Sequence, residues 1–224
     1  MRTIKAVVFD LDDTLYSERE YAFSGFTAVA SAFKEQLGDP VDTIAQLKAL
    51  FDTEHRPRMF NALLNQRGLP EDEQLVVAMV ETYRRHIPRI SLYPDADAAL
   101  TRLRAQYKLG LISDGRTDTQ TLKLNALKLL PRLDGKIVTS ELGPGYEKPH
   151  PRPFEWMAES LGVDHDQYAY VADNAAKDFI APNALGWMTI QIVRPDGIYR
   201  GAPPAEGGDP RHIIDTLDDV DPIL

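Results

Sequence analysis

Five short apolar runs recur along the chain, at residues 4–9, 108–113, 136–140, 168–172 and 188–193. Runs of this length with little polar alternation predict strands buried on both faces, as in a parallel sheet. Between the later runs, apolar positions fall at helical spacing over 118–130, 151–161 and 175–185. Strands alternating with helices predict an α/β fold, a doubly wound parallel sheet covered on both faces. In such sheets ligands bind beyond the carboxyl ends of the strands.

One interval breaks the alternation. Residues 17–90 hold no convincing strand but four helical stretches, at 18–38, 41–55, 57–68 and 71–87. Gly38-Asp39-Pro40 and Gly68-Leu69-Pro70 punctuate them as a stop followed by a new start. The pattern predicts a helical domain over 17–90, inserted into a sheet domain made of 1–16 and 91–224. Pro94-Asp95 opens the helix that returns the chain to the sheet, and the Gly/Pro-rich stretch 196–211 predicts a long surface loop.

Composition narrows the chemistry. The 224 residues include no cysteine, which excludes a thiol nucleophile, a cysteine zinc site and a redox role. A net charge of −9 argues against a nucleic-acid backbone as partner. No stretch of about 18 apolar residues predicts a membrane span, and the start of the chain reads as a strand and not as a signal peptide. A cytoplasmic protein without nucleic-acid or membrane partners is expected. The five histidines show no metal-ligand spacing, so no zinc is assigned to them.

The polar residues at the predicted strand ends carry the candidate chemistry. "FDLDDT" places Asp10, Asp12 and Asp13 within four positions behind the first strand. Carboxylates that close repel one another and call for a counter-charge. Asp10 and Asp12, two apart, leave the strand on the same side. The second strand ends in Ser113, Asp114 and Gly115, "EKPHP" supplies Lys148, and the fourth strand ends in "ADNAAKD" with Asp173, Asn174 and Asp178. Clustered carboxylates suit Mg²⁺, which shares its ligand positions with phosphate. Lys148 offers the point charge a phosphoryl group needs, with Ser113 and the amides of Asp114 and Gly115 as further donors. Each motif alone reads as a turn or a helix cap; their common order at strand ends turns the set into a site.

These four motifs resemble those of the haloacid dehalogenase-like hydrolase superfamily, and the resemblance covers essentially the whole chain. It implies a Rossmann-like core with an α-helical cap domain inserted after the first motif. It further implies an Mg²⁺-dependent phosphatase acting on a small phosphorylated metabolite, a phosphosugar, a nucleoside monophosphate or a phospho-acid. Asp10 would be the nucleophile and Asp12 the acid and base, with its carboxylate neighbours favouring the neutral form. Asp10, Asp12 (through its carbonyl) and Asp173 would hold the metal. Asp178, Thr14 and Asn174 would support the site from behind. Asp at position 12 points to phosphate esters, because a halide leaving group needs no proton. Ala172 stands where glycine is common and is expected to crowd the metal side. Arg56, Arg58 and Tyr16 are the candidate substrate contacts, although solvated arginines and a helix core explain them too. A phosphosugar mutase and a catalytically idle binding homologue share the same motifs; a receiver-type signalling domain fits poorly, since its phosphorylated Asp follows a mid-sheet strand.

Overall fold

The computed structural model describes residues 3–224. Two compact units emerge: one runs to Glu18 and resumes over Ser91–Leu224, the other is Arg19–Ile90.

The smaller unit is helical, drawn from α1 (Glu18–Ala32), α2 (Lys34–Leu37), α3 (Pro40–Phe51), α4 (Met59–Gln66) and α5 (Glu73–Arg85). The stretch 18–38, expected as one helix, breaks at Phe33, whose φ of −111° and ψ of 26° leave helical geometry. The starts of α3 and α5 follow from their caps. Asp39 accepts the amides of Val41 and Asp42, with Pro40 in the first turn; Asp72 accepts those of Gln74 and Leu75. Aromatic rings fill the interior: Phe26 stacks on Tyr83 at 5.9 Å, and Tyr21 meets the same ring edge-on at 5.5 Å. Arg56 lies over the Phe51 ring at 4.4 Å, and Arg58 is exposed.

The larger unit is built on six strands: β1 (Ala6–Phe9), β2 (Lys108–Ser113), β3 (Gly135–Val138), β4 (Tyr168–Ala172), β5 (Met188–Ile192) and β6 (His212–Ile214). All pairings are parallel, in the order β3-β2-β1-β4-β5-β6. The chain winds outward from β1 to β3, then restarts on the other side with β4, so β1 and β4 flank the point of reversal. Its helices are α6 (Pro94–Leu103), α7 (Thr117–Ala126), α8 (Arg152–Leu161) and α9 (Ile180–Ala184). Residues 175–179, expected as the start of α9, form turns instead, and Pro182 helps keep that helix to one turn and a half. Strand β6 was not expected. It is three residues long, and only Ile214 is buried, so it leaves no apolar run in the sequence.

Helix α8 packs on β2 and β3, and its fit depends on Gly110. A methyl group there would lie 2.8 Å from Met157 Sδ and 3.1 Å from Val8 Cγ2. Behind the sheet, Trp187 stacks on Tyr168 at 4.2 Å while Phe154 meets it edge-on at 5.6 Å. This core fixes the strand ends. In register, Phe9 lies opposite Leu111 on β2 and Val171 on β4, which brings Asp10, Ser113 and Asp173 to one edge.

Candidate active site

Lys148 is the hub of that edge. Its side chain is 1% exposed, and its Nζ lies 2.6 Å from Asp10 Oδ1, 2.7 Å from Asp178 Oδ1 and 3.2 Å from the Tyr170 hydroxyl. The approach to Asp178 is an ion contact without an aligned hydrogen bond. Burial opposes the charge on Lys148, but Asp10 and Asp178 outweigh it and hold the ammonium well above its usual range. The sequence is held in place locally: Lys148 N–H donates to Asp114 Oδ1 at 3.0 Å, and Thr139 Oγ1 donates to the same oxygen.

Asp10, Asp173 and Asp178 bring carboxylate oxygens within 4.8 Å of one another. Burial pushes Asp10 up to about 7; Lys148 draws it down but is shared with Asp178, whose charge raises it again. Burial also raises Asp173, to about 9, followed by repulsion from Asp10 and Asp178. One lysine does not neutralise three carboxylates. The donor set, all hard oxygens in a half-neutralised cluster, fits a divalent cation of the Mg²⁺ type. Asp178, expected to orient Lys148 or a metal-bound water, contacts that lysine at 2.7 Å and also belongs to the carboxylate cluster. Its Oδ2 accepts the Asn174 amide at 3.0 Å, and Asn174 Oδ1 accepts Ala176 N–H, so the turn after β4 aims both acids.

Asp12 takes a different place from the one expected of a neutral acid. Its Oδ1 accepts from Lys123 Nζ at 2.6 Å and from the Tyr16 hydroxyl, and its Oδ2 accepts from Gln120 Nε2 at 3.0 Å. Burial raises its pKa, yet Lys123 and these hydrogen bonds win and hold the carboxyl below its ordinary value. The resting side chain is therefore ionised, and the expectation that its neighbours favour the neutral form is corrected. Tyr16 is corrected as well. It is fully buried, and its hydroxyl orients Asp12 instead of meeting a substrate.

Ser113, Asp114 and Gly115 line the same pocket as Asp10, Asp12 and Asp173. Gly115 holds a φ of 118°, a conformation a side chain rarely adopts, which turns the chain sharply after β2. Gln120 Nε2 also reaches Ser113 Oγ and the Asp114 carbonyl, both at 2.7 Å. Burial raises the Asp114 carboxyl, but Lys148 and Lys177 outweigh it and lower its pKa; Lys177 Nζ lies 2.6 Å away. Thr14 supports the loop through its carbonyl, which accepts from Arg194 at 2.8 Å, while its hydroxyl makes no hydrogen bond. Ala172 does not crowd the metal side. Its methyl sits in the apolar core with Tyr168, Tyr170 and Phe154.

Sequence reasoning missed Lys123, Gln120 and Lys177. Gln120 and Lys123 are three apart on α7, so they share a face, and that face opens on the strand end just before it. Lys177 stands inside "ADNAAKD", between two aspartates whose metal-ligand signal is the stronger one.

A sequence model of the haloacid dehalogenase-like hydrolases matches residues 4–186. A glyceraldehyde 3-phosphate phosphatase of Methanopyrus kandleri is 30% identical, over 96% of this chain and 97% of that one. The crystal structure of a HAD phosphatase from Thermococcus onnurineus superimposes with a TM-score of 0.65 at 25% identity, covering 99% of this chain and 98% of that one. Magnesium-bound YfnB from Bacillus subtilis shares the fold, with a TM-score of 0.71 at 20% identity, and 99% of each chain is covered. The helical unit, the strand-end carboxylates and these matches agree: the chain belongs to the haloacid dehalogenase-like hydrolases.

Proposed function

We propose that the protein hydrolyses phosphate monoesters of small metabolites through an aspartyl-phosphate on Asp10. The observation that carries this reading is the 2.6 Å contact of buried Lys148 with Asp10, a residue that lines a pocket of about 190 Å³ together with Ser113. A carboxylate beside a fixed ammonium is placed to attack a phosphorus whose oxygens that ammonium neutralises. The relatives point the same way, since one is named a glyceraldehyde 3-phosphate phosphatase and another a HAD phosphatase.

In the first half, an Asp10 oxygen forms a bond to phosphorus while the bond from phosphorus to the ester oxygen breaks. Ser113 and the amides that follow it donate to the phosphoryl oxygens. Asp12 takes up a proton from solvent as the ester binds, because the anionic phosphoryl group arriving beside it favours the protonated form that the resting site does not hold, and it passes that proton to the departing oxygen. In the second half, Asp12 takes a proton from the water that attacks phosphorus, and the bond from phosphorus to Asp10 breaks. That proton returns to solvent as phosphate leaves, which balances the one taken up. Asp10, Asp173 and Asp178 would hold Mg²⁺, with the Asp12 carbonyl as a further candidate, and the ion supplies charge neutralisation for the phosphoryl oxygens. To the helical unit, which contributes none of these groups, we assign the choice of substrate as a cap domain. No helix among the described residues is long and apolar enough to cross a membrane.

The test is hydrolysis of p-nitrophenyl phosphate with Mg²⁺ present, followed by acid quench. Phosphate bound covalently at Asp10 is the expected result. Label on Ser113 or a histidine would refute the assignment.

A further inference from the structure

Two residues on the outer wall of the pocket have no part in the chemistry above: Glu18 and Tyr199, the latter 42% exposed. A single buried side chain sets both. Asp13 Oδ1 accepts the Glu18 amide at 2.8 Å, and Asp13 Oδ2 accepts the amide of Ile198, the neighbour of Tyr199, also at 2.8 Å. Asp13 is 1% exposed and holds a φ of 51°, with its carboxylate between the two segments. The loop that carries Tyr199 is pinned again at Asp196, whose oxygens accept from Ser17 Oγ at 2.6 Å and from the Tyr93 hydroxyl at 3.0 Å. These bonds hold the backbone on both sides of the loop that carries Tyr199.

We infer that Glu18 and Tyr199, positioned by Asp13, form a rim that accepts an uncharged, hydroxylated leaving group and disfavours one bearing a carboxylate. This rests on the phosphatase reading. A carboxylate accepts hydrogen bonds from hydroxyl groups and repels another carboxylate, and an aromatic face covers the C–H side of a polyol. Lys177, the cation lining the same pocket, is committed to Asp114 at 2.6 Å, so it is poorly placed to welcome an acid.

The experiment compares glycerol 3-phosphate with 3-phosphoglycerate, which differ by a CH₂OH against a carboxylate. Both carry the same phosphoryl group, so the ratio of their kcat/KM values cancels any effect on phosphoryl binding. With Mg²⁺ present, the wild type should favour glycerol 3-phosphate by roughly fivefold, the order expected for two like charges about 4 Å apart in water, as at a solvated rim. Glu18→Gln should move that ratio toward one by raising kcat/KM on the acid. Tyr199→Ala should raise KM for glycerol 3-phosphate more than it lowers kcat. Equal or inverted wild-type preference, or a ratio unmoved by Glu18→Gln, would overturn the rim. Turnover of p-nitrophenyl phosphate with neither metabolite accepted would also overturn it while leaving the phosphatase reading intact. Failure on all three esters would overturn both.

Discussion

Lys123 Nζ lies 2.6 Å from Asp12 Oδ1, across 111 residues of sequence, with the two side chains 7% and 22% exposed. Removing the ammonium strands a largely buried carboxylate. Lys123→Met should cost about 3 kcal/mol in urea unfolding, the lower end for breaking a buried pair because Asp12 retains some water. Adding Asp12→Asn should restore much of that loss, since the stranded charge is then gone. Strictly additive losses in the double variant would show that the pair contributes nothing as a pair.

Roles within the first motif separate by rate. Asp10→Asn removes the nucleophile and should abolish turnover. Asp12→Asn keeps the pocket but loses proton transfer, so activity should fall about 10²–10⁴-fold and remain measurable. Steady-state kinetics on one ester with both variants checks the order; equal residual rates would contradict it.

The carboxylate cluster predicts its ion. Activity should require Mg²⁺, vanish with EDTA and be inhibited by Ca²⁺, which takes more ligands at longer distances and would misplace the reacting groups. Mg²⁺ should also raise the thermal midpoint of the wild type by mass action. Asp173→Asn should blunt that rise, and an undiminished shift would remove Asp173 from the metal site.

Asp95 contributes to acid sensitivity away from the site. Its carboxylate contacts Arg194 at 2.7 Å, accepts the Leu217 amide at 2.8 Å and takes a hydrogen bond from Thr216. Burial raises its pKa, but these partners prevail and lower it below the ordinary 3.8. The folded state therefore binds this proton less readily than the unfolded chain. The stabilisation is fully present above that ordinary value and is lost as pH falls through the folded one. Asp95→Asn should be less stable than the wild type at neutral pH, with the gap closing below about pH 4. A gap that stays constant into acid would assign the loss to packing.

Local pattern and distant partnership divide what the sequence discloses. Strands β2 and β4 match the runs 108–113 and 168–172 residue for residue, because burial on both faces leaves no polar interruption. The ends of β1, β2 and β4 give away Asp10, Ser113 and Asp173, since a strand terminus is readable wherever apolar residues stop. Lys123 stays hidden because a lysine on a helix of mixed polarity reads as a solvated side chain. Asp13 was legible only as one more charge in a crowded row. Its partner Ile198 lies 185 residues away, and no local pattern announces that contact.

The ionic make-up of the pocket has a kinetic consequence. Among the described residues, the ion pairs of Asp10, Asp12, Asp114 and Asp178 at this site are with Lys123, Lys148 and Lys177, and Asp173 adds a fifth carboxyl group. A dianionic ester approaching a pocket with more carboxyl groups than ammonium groups meets no net attraction before it can reach Lys148. A divalent cation meets attraction. Association should thus be ordered, ion first and ester second, so that the ion loads an enzyme at rest and the ester captures only the loaded form.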